Sequence, residues 1–142
     1  MSTIFASYPI DNFSIEDKKT YLSAVIYAAA ADGFAEEEKL IFFELCKQLD
    51  VTDEVARLLI AEHHFDLEKF VGSETLKIFA PYFIRDCVAV SYGDYDFADE
   101  ERDAIMSLAD SINYDQKNTT YIINAVINQM NAVRLWSKVM RG

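Results

Sequence analysis

Ala31-Asp32-Gly33-Phe34-Ala35-Glu36-Glu37-Glu38, residues 31–38, closes one apolar helix, opens another and sets a dense negative cluster at the corner. Upstream, Tyr21, Leu22, Val25, Ile26 and Ala29 recur at the three- and four-residue spacing of a helix face. The run Ala28 to Ala31 leaves little side-chain volume, so another helix can approach closely there. Gly33 takes positive φ without a Cβ clash and so suits the end of that helix. Downstream, Phe42, Leu45, Cys46 and Leu49 mark one face of a helix beginning near Ala35.

A second version, Tyr92-Gly93-Asp94-Tyr95-Asp96-Phe97-Ala98-Asp99-Glu100-Glu101, follows half a chain later. Residues 34–51 align with 97–114 at a constant offset of 63. Phe34 matches Phe97, Ala35 matches Ala98, and Glu36-Glu37-Glu38 matches Asp99-Glu100-Glu101. The apolar face follows, Phe42 with Ile105, Leu45 with Leu108, Cys46 with Ala109 and Leu49 with Ile112. Thr52 matches Asp115 as the next cap, while Asp32 matches Asp94 at an offset of 62, so the second turn is one residue longer. A duplicated unit of this kind cannot cover its own apolar face. Two copies packed about a pseudo-two-fold axis, with halves at about 15–64 and 73–140, are the expected architecture.

The remaining signals are helical. Residues 1–13 read as an irregular lead-in, with Pro9 as a breaker. Ser14 followed by Asp17 forms an N-cap signature for a helix to about Ala31. Thr52 caps a third helix ending around His63-His64, Asp66 to Val71 is a short fourth, and Ser73 caps the segment that follows. Pro81 either kinks that segment or restarts it as a helix to Tyr92. A sixth helix spans about Ala98 to Ile112, and Asp115 caps a long final one to about Val139. No stretch alternates with period two. The fold class is all-α, one domain over 1–142, with about seven helices.

Composition bounds the function. Half of the 142 residues are hydrophobic, Gly and Pro number only 4 and 2, and the formal charge is −11. Such a chain can bury a real core and is not disordered. Its charge disfavours nucleic acid or an anionic membrane surface and favours cations or a basic protein partner. The lead-in has neither the basic region nor the apolar run of a signal peptide, and Tyr21 to Ala31 is too short to span a bilayer. Cys46 and Cys87 sit among apolar residues and read as buried free thiols, which fits a reducing cytoplasm.

A small-residue helix ending in Asp-Gly, a short turn, Glu-Glu and an amphipathic helix resembles the tellurite-resistance TerB family. The related N-terminal domain of DjlA-type co-chaperones is similar. The resemblance spans about Ile15 to Val126 through both copies. It implies a duplicated helical bundle acting as a binding or scaffold module in tellurite or stress resistance, not an enzyme, with a divalent-metal site at the acidic corners. Carried over, the aspartates are Asp32 and Asp94 and the glutamates Glu38 and Glu101. This chain departs from the pattern in three ways: its first turn is one residue short, Tyr95 replaces the second Gly, and both cap positions are alanines, Ala35 and Ala98.

Two readings of the corners stand side by side. Glutamates in a first turn are favoured by the helix dipole by roughly 0.3–1 kcal/mol each, and at its third position they can reach back to the cap N–H. Alternatively Asp32, Glu38, Asp94, Asp96 and Glu101 converge on a hard cation, Ca²⁺ or Mg²⁺, which oxygen-only ligands suit. An EF-hand starting at Asp94 fails, because Asp99 stands where Gly is needed and Ile105 where Glu is needed. His63-His64 point about 100° apart on a helix and read as C-terminal residues, not ligands. No nucleophile–base set or phosphate loop is present. A metal-free adaptor for a basic partner is the rival class. The final helix is expected to pack across both copies through Ile122, Val126, Met130, Val133 and Trp136. Otherwise part of it forms a partner or homodimer surface on which Trp136 carries the binding energy.

Overall fold

The computed structural model describes residues 13–93 and 96–141. The lead-in therefore lies outside the described residues as far as residue 12. Among them are eight α-helices: α1 (Ile15–Ala29), α2 (Glu36–Gln48), α3 (Asp53–Glu62), α4 (Leu67–Gly72), α5 (Glu74–Ile78), α6 (Ala80–Ser91), α7 (Asp99–Ser111) and α8 (Gln116–Arg141). A 3₁₀ turn, Ala30–Asp32, extends α1, and no strand occurs among the described residues.

Short polar side chains start most of these helices, as their sequence positions imply. Ser14, Thr52, Asp66, Ser73 and Asp115 each accept from the backbone N–H three residues on, at 3.1–3.3 Å. Each supplies an acceptor for an N–H that the helix itself cannot satisfy. Three helices end on a residue in the left-handed region, Asp50 (φ 58°), His63 (φ 48°) and Asn113 (φ 60°). His63 is therefore the left-handed cap of α3 and His64 lies beyond it, so neither is the last-turn helical residue that the sequence implied.

Pro81 restarts the chain rather than kinking it. α5 closes on Phe79, which also opens α6, and Pro81 occupies the first turn of α6, where its missing N–H costs nothing. That break makes eight helices of the expected seven.

α6 is the centre of the core. Its face-to-face neighbours are α1, α2, α7 and α8, and Phe83, Ile84, Cys87, Val88, Ala89 and Val90 are all buried. The alanines at 24, 28 and 29 on α1 are fully buried too, which lets α1 pack closely. Asp86 on α6 is 0% exposed, and two neighbours meet its charge. The Tyr21 hydroxyl donates to its Oδ2 at 2.6 Å, and Arg85 Nε donates to its Oδ1 at 3.0 Å. Charge-assisted bonds of this kind offset the desolvation of a buried carboxylate.

The final helix does not take the central place expected of it. On α8, Thr119, Ile123 and Val126 are buried and Ile122 and Met130 half-buried, whereas Val133 and Trp136 are exposed. The two thiols are buried and unlinked, as read from the sequence. Burial, with Asp53 second, pushes the Cys46 thiol up to about 12. Burial, then Asp86, pushes Cys87 well above the ordinary thiol range.

Candidate functional site

The first corner is built by a change of backbone direction. After the 3₁₀ turn, the Gly33 N–H donates to the Ala30 carbonyl at 3.0 Å, and Gly33 adopts φ 87°, ψ 151°, a region open to glycine. Ala35 is extended and precedes α2 as its cap residue. Alanine has no side-chain acceptor, so Glu38 supplies the other half of the arrangement. Its Oε1 accepts from the Ala35 N–H at 2.7 Å. The second corner repeats this, with Ala98 extended and Glu101 Oε1 accepting from the Ala98 N–H at 2.9 Å. Both glutamates are only 2% exposed, whereas Glu36, Glu37, Asp99 and Glu100 in the same first turns are exposed.

The repeat persists through the ends of these helices. Val51 N–H donates to Cys46 at 2.8 Å and Tyr114 N–H to Ala109 at 2.9 Å, and the left-handed residues Asp50 and Asn113 keep the 63-residue offset. The local design is the same from cap to exit.

Gly93 brings the two corners together. A Cβ there would lie 3.1 Å from the Glu37 carbonyl, the Glu38 Cα and the Val90 carbonyl. All three neighbours are backbone and cannot swing aside. The chain leaving α6 is thereby pressed onto the first turn of α2. In the sequence Gly93 stood only as part of the second corner, and the signal of its close approach was a glycine at a helix exit.

The outcome is one open cleft of about 260 Å³ lined by Asp32, Gly33, Phe34, Ala35, Glu38, Asp96 and Glu101. Four of the five candidate ligands thus share one cavity, and Asp94 lies outside the described residues. Asp32 and Asp96 are exposed at its rim, and Glu38 and Glu101 are buried at its wall. Among the described residues, no group of three or more His, Cys, Asp or Glu side chains is placed to hold a metal ion. The ionisable side chains that line the cleft are all carboxylates, whose oxygens suit a hard cation. At roughly 30 Å³ per water, the volume admits an ion with much of its hydration shell, or the end of a basic side chain. His63 and His64 line a separate small hollow with Tyr27 and Phe65, away from this cleft.

No protein-family model matches the chain, and no curated protein does. Among solved structures, a crystal structure of a tellurite resistance protein from Nostoc punctiforme is similar to it. The two share 20% identity and a TM-score of 0.62, over 98% of this chain and 83% of that one. The chain has the TerB-like all-helical fold.

Proposed function

We propose that this chain is a TerB-like binding module of a tellurite- or stress-resistance system, and that its cleft takes a divalent cation. One observation carries the reading: two acidic corners some 63 residues apart in sequence line one cleft. Carboxylates gathered at a shared cavity repel one another, and a cation that enters relieves that repulsion. The Nostoc punctiforme protein of the same fold, named for tellurite resistance, supports the wider role. A binding role is favoured over catalysis, because the thiols, the strongest nucleophiles available, are buried and held protonated. They also fit a reducing cytoplasm.

Thermal unfolding of chelator-treated protein with added Ca²⁺, Mg²⁺, Mn²⁺ or Zn²⁺ tests the proposal. An ion at about 100 times its Kd adds roughly 2.7 kcal/mol, a shift of about 5–10 °C for a domain of this size. A rise with one ion, lost in Asp32→Asn and Asp96→Asn, supports it. Equal small rises with every ion are screening of an acidic surface and overturn the metal reading.

A metal-free adaptor is the second reading. It is favoured by the absence of a ready three-ligand group among the described residues and by the width of the cleft. Calorimetric titration with an Arg- and Lys-rich peptide, weakened by the same two substitutions, would establish it.

A further inference from the structure

α8 runs parallel to α6. Tyr121 to Gln129 flank Pro81 to Arg85, and farther along the Tyr92 hydroxyl donates to Asn131 Oδ1 at 2.7 Å. Past that bond the helix leaves the body: from Ala132 to Met140 every residue is exposed except Arg134, which is half-buried. Trp136 is 66% exposed and Met140 76%. A single unpartnered apolar face would say nothing of its occupant, but this one carries a pattern.

Ile122, Ala125, Gln129, Ala132, Trp136 and Val139 alternate in steps of three and four, the spacing of a coiled-coil seam. All but Ile122, which is half-buried, are exposed. At one end of the seam lies an open groove of about 260 Å³ between α6 and α8, walled by Tyr82 and Tyr121 and bordered by Ala125 and Gln129. At the other end stands Trp136. When two such seams are laid antiparallel, Gln129 faces Ala132, Ile122 faces Val139, and the Trp136 of each helix faces the Ala125 of the other. The largest side chain of the seam then meets one of its smallest, beside the groove, and by symmetry it does so twice.

Charge permits the same occupant. No charged side chain occurs from Asn118 to Val133, and the charges of α8 are all basic, Lys117, Arg134, Lys138 and Arg141. In a chain of net charge −11, this helix is where two copies repel least. Charge depletion with an exposed aromatic also marks the centre of protein interfaces. An overlap of about 22 residues is roughly 33 Å long and, with the groove, about 20 Å wide. Two such faces bury roughly 1,300 Å², inside the ~1,200–2,000 Å² of stable pairs.

The geometry points to a second copy of this chain as the occupant, in a two-fold dimer with antiparallel α8 helices and Trp136 seated at the partner's groove. Sedimentation of the full chain from about 1 to about 200 µM tests it, read alongside emission from Trp136, the chain's single tryptophan. The expected result is a monomer–dimer equilibrium with emission moving to shorter wavelength as the dimer forms. Trp136→Ala should raise the dimer Kd at least about 30-fold, as loss of a hot-spot residue does. Ala125→Glu, at the other end of the contact, should do the same in a protein that keeps its tryptophan. Both sites are exposed, so far-UV circular dichroism and Tm of the diluted monomer should stay at wild-type values. A monomer throughout the range overturns the proposal, as does a dimer indifferent to both substitutions. Blue-shifted emission on vesicles of anionic phospholipid, without dimerisation, overturns it in favour of a membrane surface.

Discussion

The first acidic corner and the second are alike in what is buried and different in how the chain arrives. Each places an alanine at the cap and a buried glutamate three residues on, bonded back to the alanine N–H. Each helix then leaves through a left-handed residue, Asp50 or Asn113. The approaches diverge. The first uses a 3₁₀ turn and the positive φ of Gly33, whereas the second follows Gly93, placed where a Cβ would crowd the backbone of α2. The comparison separates two roles among the acids. Glu38 and Glu101 build the corners from buried positions, and Asp32 and Asp96 stand exposed at the rim of the cleft.

The largest expected effect comes from removing the shared element. Glu38→Ala and Glu101→Ala should each cost about 1.5–3 kcal/mol, the range for a hydrogen bond to a charged group. Chemical denaturation of both variants checks this. Equal losses would confirm one design used twice, and a loss in only one copy would break the comparison. Next come the glycines, at which the corners differ. Gly93→Ala should cost about 1–3 kcal/mol through overpacking against rigid backbone. Gly33→Ala meets no atom within 4 Å and should cost about 1–3 kcal/mol from its backbone conformation alone. Both should also disturb the cleft, which Gly33 lines directly and Gly93 reaches through the Glu38 backbone, so chemical-shift changes at Glu38 should be larger in Gly93→Ala.

A smaller, opposite effect is expected at the caps. Ala35→Ser and Ala98→Ser each add an acceptor for the N3 N–H and should stabilise by about 1 kcal/mol, raising Tm by about 2–4 °C. A last, pH-dependent effect concerns the one matched core pair of different chemistry, Cys46 and Ala109. Folding raises the Cys46 thiol to about 12 from its ordinary 9.0. Above about pH 9 the unfolded chain therefore releases a proton that the folded chain keeps, and stability falls as pH rises. Cys46→Ala should soften that alkaline loss, and Cys87, whose thiol is raised in the same direction, contributes to what remains. Denaturation midpoints at pH 8 and about pH 10 compare the two proteins.

Much of the fold was legible because its signals are local. Ser14, Thr52, Ser73 and Asp115 cap helices through bonds spanning three residues, and period and caps place every long helix. The break at Phe79 was less so, because Pro81 is compatible with either a kink or a first turn. The ranking of α6 above α8 as the central helix was not legible. Both have apolar stripes, and burial depends on how many neighbours the packing supplies to each. The buried Tyr21–Asp86–Arg85 cluster was missed for a related reason, since Tyr21 and Asp86 are 65 residues apart.

By itself the sequence determined an all-α chain, the repetition of one helix–corner–helix unit, and the placing of an acidic first turn in each copy. These follow from side chains acting on backbone within a turn or two. Only the tertiary structure decided that the two corners line one cleft, that Gly93 holds them there, and that the end of α8 stands clear of the body. Those are long-range outcomes, because excluded volume and burial between distant segments leave no periodicity in either segment alone.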